Sequence, residues 1–137
     1  MTPLVRNRSV PEATVIPELP YPDVLAAADW LCAAFGFTVR LRIADHRVQL
    51  MYGDGAVVIV QGNDTGTASV LVRVEDVDSH ARQAASAGAR IVRPPTDYPY
   101  GERQYTAEDS AGRRWTFSQS IADVDLAEWG GHVVEDL

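Results

Sequence analysis

What this chain lacks narrows it quickly. It has no lysine: arginine alone supplies the twelve basic residues, set against 19 Asp and Glu, for a net charge of -7. That deficit of positive charge speaks against nucleic acid as a direct partner. Cysteine occurs once, at Cys32, so no internal disulfide can form and the reducing cytoplasm is the expected compartment. No apolar run approaches the roughly 18 residues of a membrane span, and the opening residues, Met1 to Arg8, lack the apolar core of a secretory signal. No membrane partner is expected. Glycine-rich phosphate loops and Gly-x-Ser-x-Gly elbows are missing too. The three histidines, His46, His80 and His132, show no metal spacing and read as surface or capping residues.

What is present reads twice. Asp23-Val24 opens an alanine-rich helix closed at Phe35-Gly36-Phe37, and Asp76-Val77 opens a second closed at Ala87-Gly88-Ala89. The intervals between the two openings and between the two closing glycines nearly agree. The tight turns that follow, Gly53-Asp54-Gly55 and Asp109-Ser110-Ala111-Gly112, keep close to that offset and pair Gly55 with Gly112. Two such halves imply a pseudo-twofold arrangement in which positions can be compared between halves.

At 137 residues and 46% hydrophobic, the chain is expected to be one domain over 1–137 with a real core. A first module covers about 13–61, a second about 68–120, and an acidic tail 121–137 carries Trp129. Asp23 and Asp76 read as N-caps and Gly36 as a left-handed C-cap. Val24, Ala27, Ala28, Leu31, Ala34 and Phe35 recur at helical spacing, with Trp30 on the flank and Cys32 as a small apolar residue of the helix.

Strands are expected at 13–19 (interrupted by Pro17), 37–43, 46–52 and 56–61, then at 68–74, 90–93, 103–108 and 114–120. A proline- and tyrosine-rich loop spans 94–101. The outcome is an α+β fold of tandem βαβββ modules forming a curved sheet cleft backed by helices.

That order resembles the vicinal oxygen chelate superfamily. The carrying residues are Tyr21-Pro22-Asp23-Val24, Trp30-Leu31 with Phe35-Gly36-Phe37, Val74-Glu75-Asp76-Val77-Asp78, and Tyr100-Gly101-Glu102-Arg103 leading to Asp109 through Trp115. The group includes glyoxalase I, bleomycin-resistance proteins, extradiol dioxygenases and fosfomycin-resistance enzymes. Its enzymes commonly hold a divalent metal through His and Glu of the first and last strand of each module. One ligand lies seven residues before the helix N-cap and another four after the turn glycine. Here those positions hold Ile16, Ile59, Ser69 and Thr116, and none is an imidazole or carboxylate. No metal and no cofactor is expected.

Alternation along the strands adds Glu18, Val57, Gln61, Leu71, Arg73, Arg114 and Ser118 to the side facing the cleft, and sends Trp115 and Phe117 to the helix layer. Tyr98, Tyr100 and Tyr105 with Arg103 suit a flat aromatic ligand, through rigid apolar area with polar tips and cation–π stacking. A loop that merely covers a sheet edge is the competing reading of the same residues.

The resemblance and the cleft chemistry point to a metal-free protein that sequesters an aromatic, antibiotic-like natural product, conferring self-resistance or drug resistance by stoichiometric binding. The acidic balance favours cationic or neutral ligands. A metal-independent enzyme of isomerase or lyase type stays open, with Glu18 as general base, since a carboxylate beside hydrocarbons suits that work. So does an accessory protein of natural-product biosynthesis. A homodimer is expected, to cover strand edges and exposed apolar surface.

Overall fold

The computed structural model describes residues 7–63, 66 and 68–131. It divides into two compact units, Met1–Gly66 and Thr67–Leu137. In the first, β1 (Glu18–Tyr21) leads into α1 (Val24–Phe35), followed by β2 (Thr38–Ile43), β3 (Arg47–Tyr52) and β4 (Gly55–Gln61). The second repeats this with β5 (Val70–Arg73), α2 (Val77–Ser86), β6 (Arg90–Asp97), β7 (Glu102–Glu108) and β8 (Arg114–Ser120), then a 3-10 turn at Leu126–Trp129. Each sheet has four strands, ordered β1-β4-β3-β2 and β5-β8-β7-β6, with the first pair parallel and the others antiparallel. This is the expected α+β pair of βαβββ modules.

Both helices begin where sequence chemistry places them. The carboxylates of Asp23 and Asp76 accept from the backbone N–H of Ala26 and Ser79, satisfying donors that the first helical turn leaves free. Gly36 ends α1 in the left-handed region at φ 86°, its N–H bonded to the Cys32 carbonyl. A glutamine at the end of the fourth strand braces each helix start. Gln61 donates to the Pro22 carbonyl, and the Gln119 side-chain oxygen accepts from the Val77 N–H.

Each helix buries one face against its own sheet. In the first unit Val24, Ala28, Leu31, Ala34 and Phe35 meet Leu19, Tyr21, Val48, Leu50, Val57 and Ile59. Strand register puts these six strand residues on one side of the sheet. In the second, Val77, Ala81 and Ala84 cover Tyr105, Ala107, Trp115 and Phe117. The buried Asp109 carboxylate organises the turn before β8, accepting from the backbone N–H of Ala111 and Arg113 and from the Trp115 indole.

Several expectations need correction. The first strand runs 18–21 rather than 13–19, because Pro17 can offer only its carbonyl, to the Val58 N–H. β6 continues through Pro94 and Pro95 to Asp97, so the tyrosine loop shrinks to 98–101. The two prolines are tolerated because β6 is an edge strand and the register breaks there, between Arg93 and Thr96. His80 is not a surface residue: it packs on Phe117, with rings 4.3 Å apart, and hydrogen-bonds the Tyr105 hydroxyl beneath α2. His132 lies outside the described residues.

Because Ile59 is fully buried under α1, Ile59→Ala should lower the unfolding free energy by about 2–5 kcal/mol. Urea denaturation at neutral pH measures it.

Candidate functional site

The face of each sheet away from its helix is where side chains are free to meet a ligand. On the second sheet, register assembles that face. Leu71 pairs with Thr116 and Arg73 with Ser118 across the parallel strands, while Thr106, Gln104 and Glu102 of β7 oppose Thr116, Ser118 and Ser120. Alternation puts all of these on one side and Tyr105, Phe117 and Trp115 on the other.

The polar groups there form a directed chain. The Tyr100 hydroxyl donates to the Gln104 side-chain carbonyl at 3.2 Å, the Gln104 amide donates to Ser118 Oγ at 3.1 Å, and the Ser118 hydroxyl donates to Glu102 at 2.6 Å. Thr106 and Thr116 share a hydrogen bond of 2.9 Å beside it. Burial pushes the Glu102 carboxyl up, but the Ser118 and Ser120 hydroxyls and the nearby Arg73 charge together outweigh it, and the group is held below its ordinary value.

Above the floor stand rings. Tyr98 and Tyr100 stack with centroids 5.4 Å apart and planes 10° from parallel, and Tyr100 also meets Trp129 at 5.5 Å. Arg93 donates to the Tyr98 hydroxyl at 2.7 Å, which fixes the outer ring. Leu71 adds apolar surface to the floor and is 63% exposed.

Five of the residues expected to line the site stand elsewhere. Tyr105 is fully buried under α2, because an odd number of positions separates it from Gln104 and Thr106 on a strand whose side chains alternate. Arg103 lies on the same helix side and bonds Asp97 at 2.6 Å and Asp78 of α2 at 3.0 Å. Val57, Ile59 and Gln61 also belong to the helix side of their sheet. The first-module error has its own source. Gly55 is the first residue of β4, whereas Gly112 precedes β8 by two residues, so the two glycines are not equivalent. Matching the parallel pairs instead, Glu18–Val58 with Leu71–Thr116, moves the first-module position from Ile59 to Val58.

Glu18 is on the open face of the first sheet beside Val58, but it is exposed and paired with Arg47 at 2.6 Å. Ile16 is half-buried just ahead of β1, and Ser69 is exposed just ahead of β5. A β-bulge at Arg40 turns its guanidinium onto that first open face, where it bonds Gln49. Residues 8 and 9 cross there, the Arg8 carbonyl accepting from Arg40 and the Ser9 carbonyl from Gln49. A cavity of about 440 Å³ lies nearby, lined by Glu12, Ala13, Thr14, Met51 and Asp54. None of these five lining residues is aromatic, whereas the second open face sets stacked tyrosines beside a chain of hydrogen-bonding groups. Cys32 is half-buried, and burial, followed by the Asp29 charge, raises its thiol pKa, which leaves it a poor nucleophile.

The model of the glyoxalase/bleomycin resistance protein/dioxygenase superfamily matches residues 14–117. The chain belongs to that superfamily. Among solved structures it is similar to TioX from Micromonospora sp. ML1, with 33% identity and a TM-score of 0.69 over 82% of this chain and all of that one. A glyoxalase-related enzyme from Fulvimarina pelagi shares the fold at 15% identity, with a TM-score of 0.66 over 79% of this chain and 88% of that one. An uncharacterized protein of Mycobacterium bovis is 30% identical over 93 residues, 68% of this chain and 59% of its own length. The Mycobacterium tuberculosis relative matches at the same identity over 52% of its length. The chain thus spans somewhat over half of these curated relatives.

The superfamily implies a metal, and the residues present do not fit one. The corresponding positions carry Ile16, Val58, Ser69 and Thr116, two hydrocarbons and two hydroxyls. Among the described residues no group of three His, Cys, Asp or Glu side chains is placed to hold a metal ion.

The depressed Glu102 pKa carries a sign. A carboxyl whose folded pKa is lowered contributes stability above its unfolded value, and that contribution is lost as pH falls through the folded one. Glu102→Gln should therefore be less stable than the parent at pH 7, and the gap should close in acid. Urea midpoints of the two proteins across an acid titration measure it.

Proposed function

We propose that the protein is a metal-free binder of a planar aromatic small molecule, held on the open face of the second sheet and sequestered stoichiometrically. The carrying observation is the parallel Tyr98–Tyr100 stack, tied by its hydroxyls to Arg93 and to a floor of hydrogen-bonding groups. Rings fixed at both ends present flat apolar area at little conformational cost, while the floor offers a carboxylate and hydroxyls to orient polar substituents. The superfamily's bleomycin-resistance members give the reading its biological form, drug protection by capture in the cytoplasm. The positions where an enzyme of the superfamily would hold a metal supply no ligand chemistry, and Glu18, paired with Arg47, is poorly set as a general base. Binding without turnover is therefore favoured over catalysis.

The protein's acidic balance favours cationic or neutral rings over anionic ones. Calorimetric titration with 9-aminoacridine, acridine and anthracene-9-carboxylate should give saturation near one ligand per chain for the first two, with the ligand recovered unchanged. Tyr100→Ala should weaken binding about fivefold or more while the melting temperature holds, because a stacked ring contributes roughly 1 kcal/mol. Conversion of the ligand beyond the protein's molar amount would replace capture with catalysis. Elemental analysis should find no stoichiometric cation.

We also propose a homodimer. Val39 and Ile43 lie exposed on β2, an edge strand, and Leu71 on β5, another edge. Pairing would cover such surface. Light scattering should give twice the 15.0 kDa chain mass at micromolar concentration; a monomer mass contradicts it.

A further inference from the structure

The superfamily match ends at residue 117, yet the aromatic wall does not. After β8 the chain turns back across Gly101, whose carbonyl accepts from the N–H groups of both Ile121 and Ala122. This close crossing requires glycine. A Cβ at Gly101 would sit 2.3 Å from the Ala122 carbonyl oxygen, and the residue holds φ 83°. Downstream, Asp125 caps the short 3-10 turn by accepting from the Ala127 N–H, and Gly130 closes it in the left-handed region. That turn delivers the Trp129 indole to Tyr100, 5.5 Å away and tilted by 58°.

Trp129 is oddly served for a packing residue. It remains 43% exposed, and its described partner is a tyrosine already stacked on another tyrosine and hydrogen-bonded to the floor. Leu126 on the same turn is exposed as well. A tryptophan that serves the core is covered, as Trp115 is. A large ring left half in water beside two fixed rings is what a binding wall presents before its ligand arrives.

We infer that Trp129 is a ligand-contacting residue, the third ring of the aromatic site, contributed by the segment 121–131 and positioned by the crossing at Gly101. The ligand class is a fused, planar aromatic of at least two rings, large enough to touch Tyr100 and Trp129 at once. This rests on the reading that the second open face binds aromatic molecules.

The test uses the full chain with 9-aminoacridine as probe, followed by calorimetry and by intrinsic fluorescence. Trp129→Ala should weaken binding about fivefold or more, and Trp129→Phe should restore it to within about twofold, since a smaller ring still stacks. Binding should quench the parent's tryptophan emission, and the quench should vanish in Trp129→Phe although Trp30 and Trp115 remain. Gly101→Ala keeps all three rings in the sequence but drives the segment that carries Trp129 away from Tyr100, and should lose affinity as Trp129→Ala does. Parent-like affinity in Trp129→Ala, with the quench unchanged in Trp129→Phe, overturns the role of Trp129 and leaves the aromatic site standing. A parent that binds none of the three ring probes overturns the aromatic site itself, and this inference with it.

Discussion

The parallel pairing of β5 with β8 decides which side chains the second module presents on its open face. Once Leu71 lies beside Thr116 and Arg73 beside Ser118, the two-residue alternation of each strand sends every neighbour to a fixed side. The antiparallel step to β7 then brings Glu102, Gln104 and Thr106 onto the same face. A slip of one residue would trade this hydrogen-bonding floor for Trp115, Phe117 and Tyr105, and would strip α2 of its core. Burial of those three rings under α2 is therefore what holds the polar face in register.

The floor in turn holds the rings. Each link from Tyr100 to Glu102 has its donor and acceptor in the correct sense, and the chain ends on a carboxylate, which strengthens the bond it accepts. Arg93 performs a similar service for Tyr98. Arg103, reaching Asp97 and Asp78 from the helix side, ties the hairpin that carries both tyrosines to α2. It works from behind the loop. The aromatic surface is thus organised in advance, and less ordering cost would fall on the proposed binding.

The helices were legible because each carries its own punctuation, an Asp cap, small apolar residues at helical spacing and a closing glycine. The modular repeat was legible because that punctuation occurs twice. Faces were harder. Gly55 and Gly112 look alike in sequence, but a two-residue turn precedes β4 and a five-residue turn precedes β8. The equivalent strand position therefore lies three residues after Gly55 and four after Gly112, and that one-residue difference reverses every side chain of β4. Parity would have separated Tyr105 from Tyr100 had β7 been counted from its paired residues rather than from the loop. Pro94 and Pro95 masked the end of β6, since proline in a strand announces itself only when the strand is known to be an edge. Trp129 had no repeat partner to compare with; its signal was the glycine at 101, which makes room for a segment distant in sequence.

The most direct test of the account is a map of where an aromatic ligand touches the protein. Methyl and ring NMR spectra recorded while 9-aminoacridine is added should shift Leu71, Thr106, Thr116 and Tyr100 together, and leave Val48, Leu50 and Ile59 of the first module's core unchanged. Shifts confined to residues near Arg40, Gln49 and Met51, with the second open face silent, would contradict it.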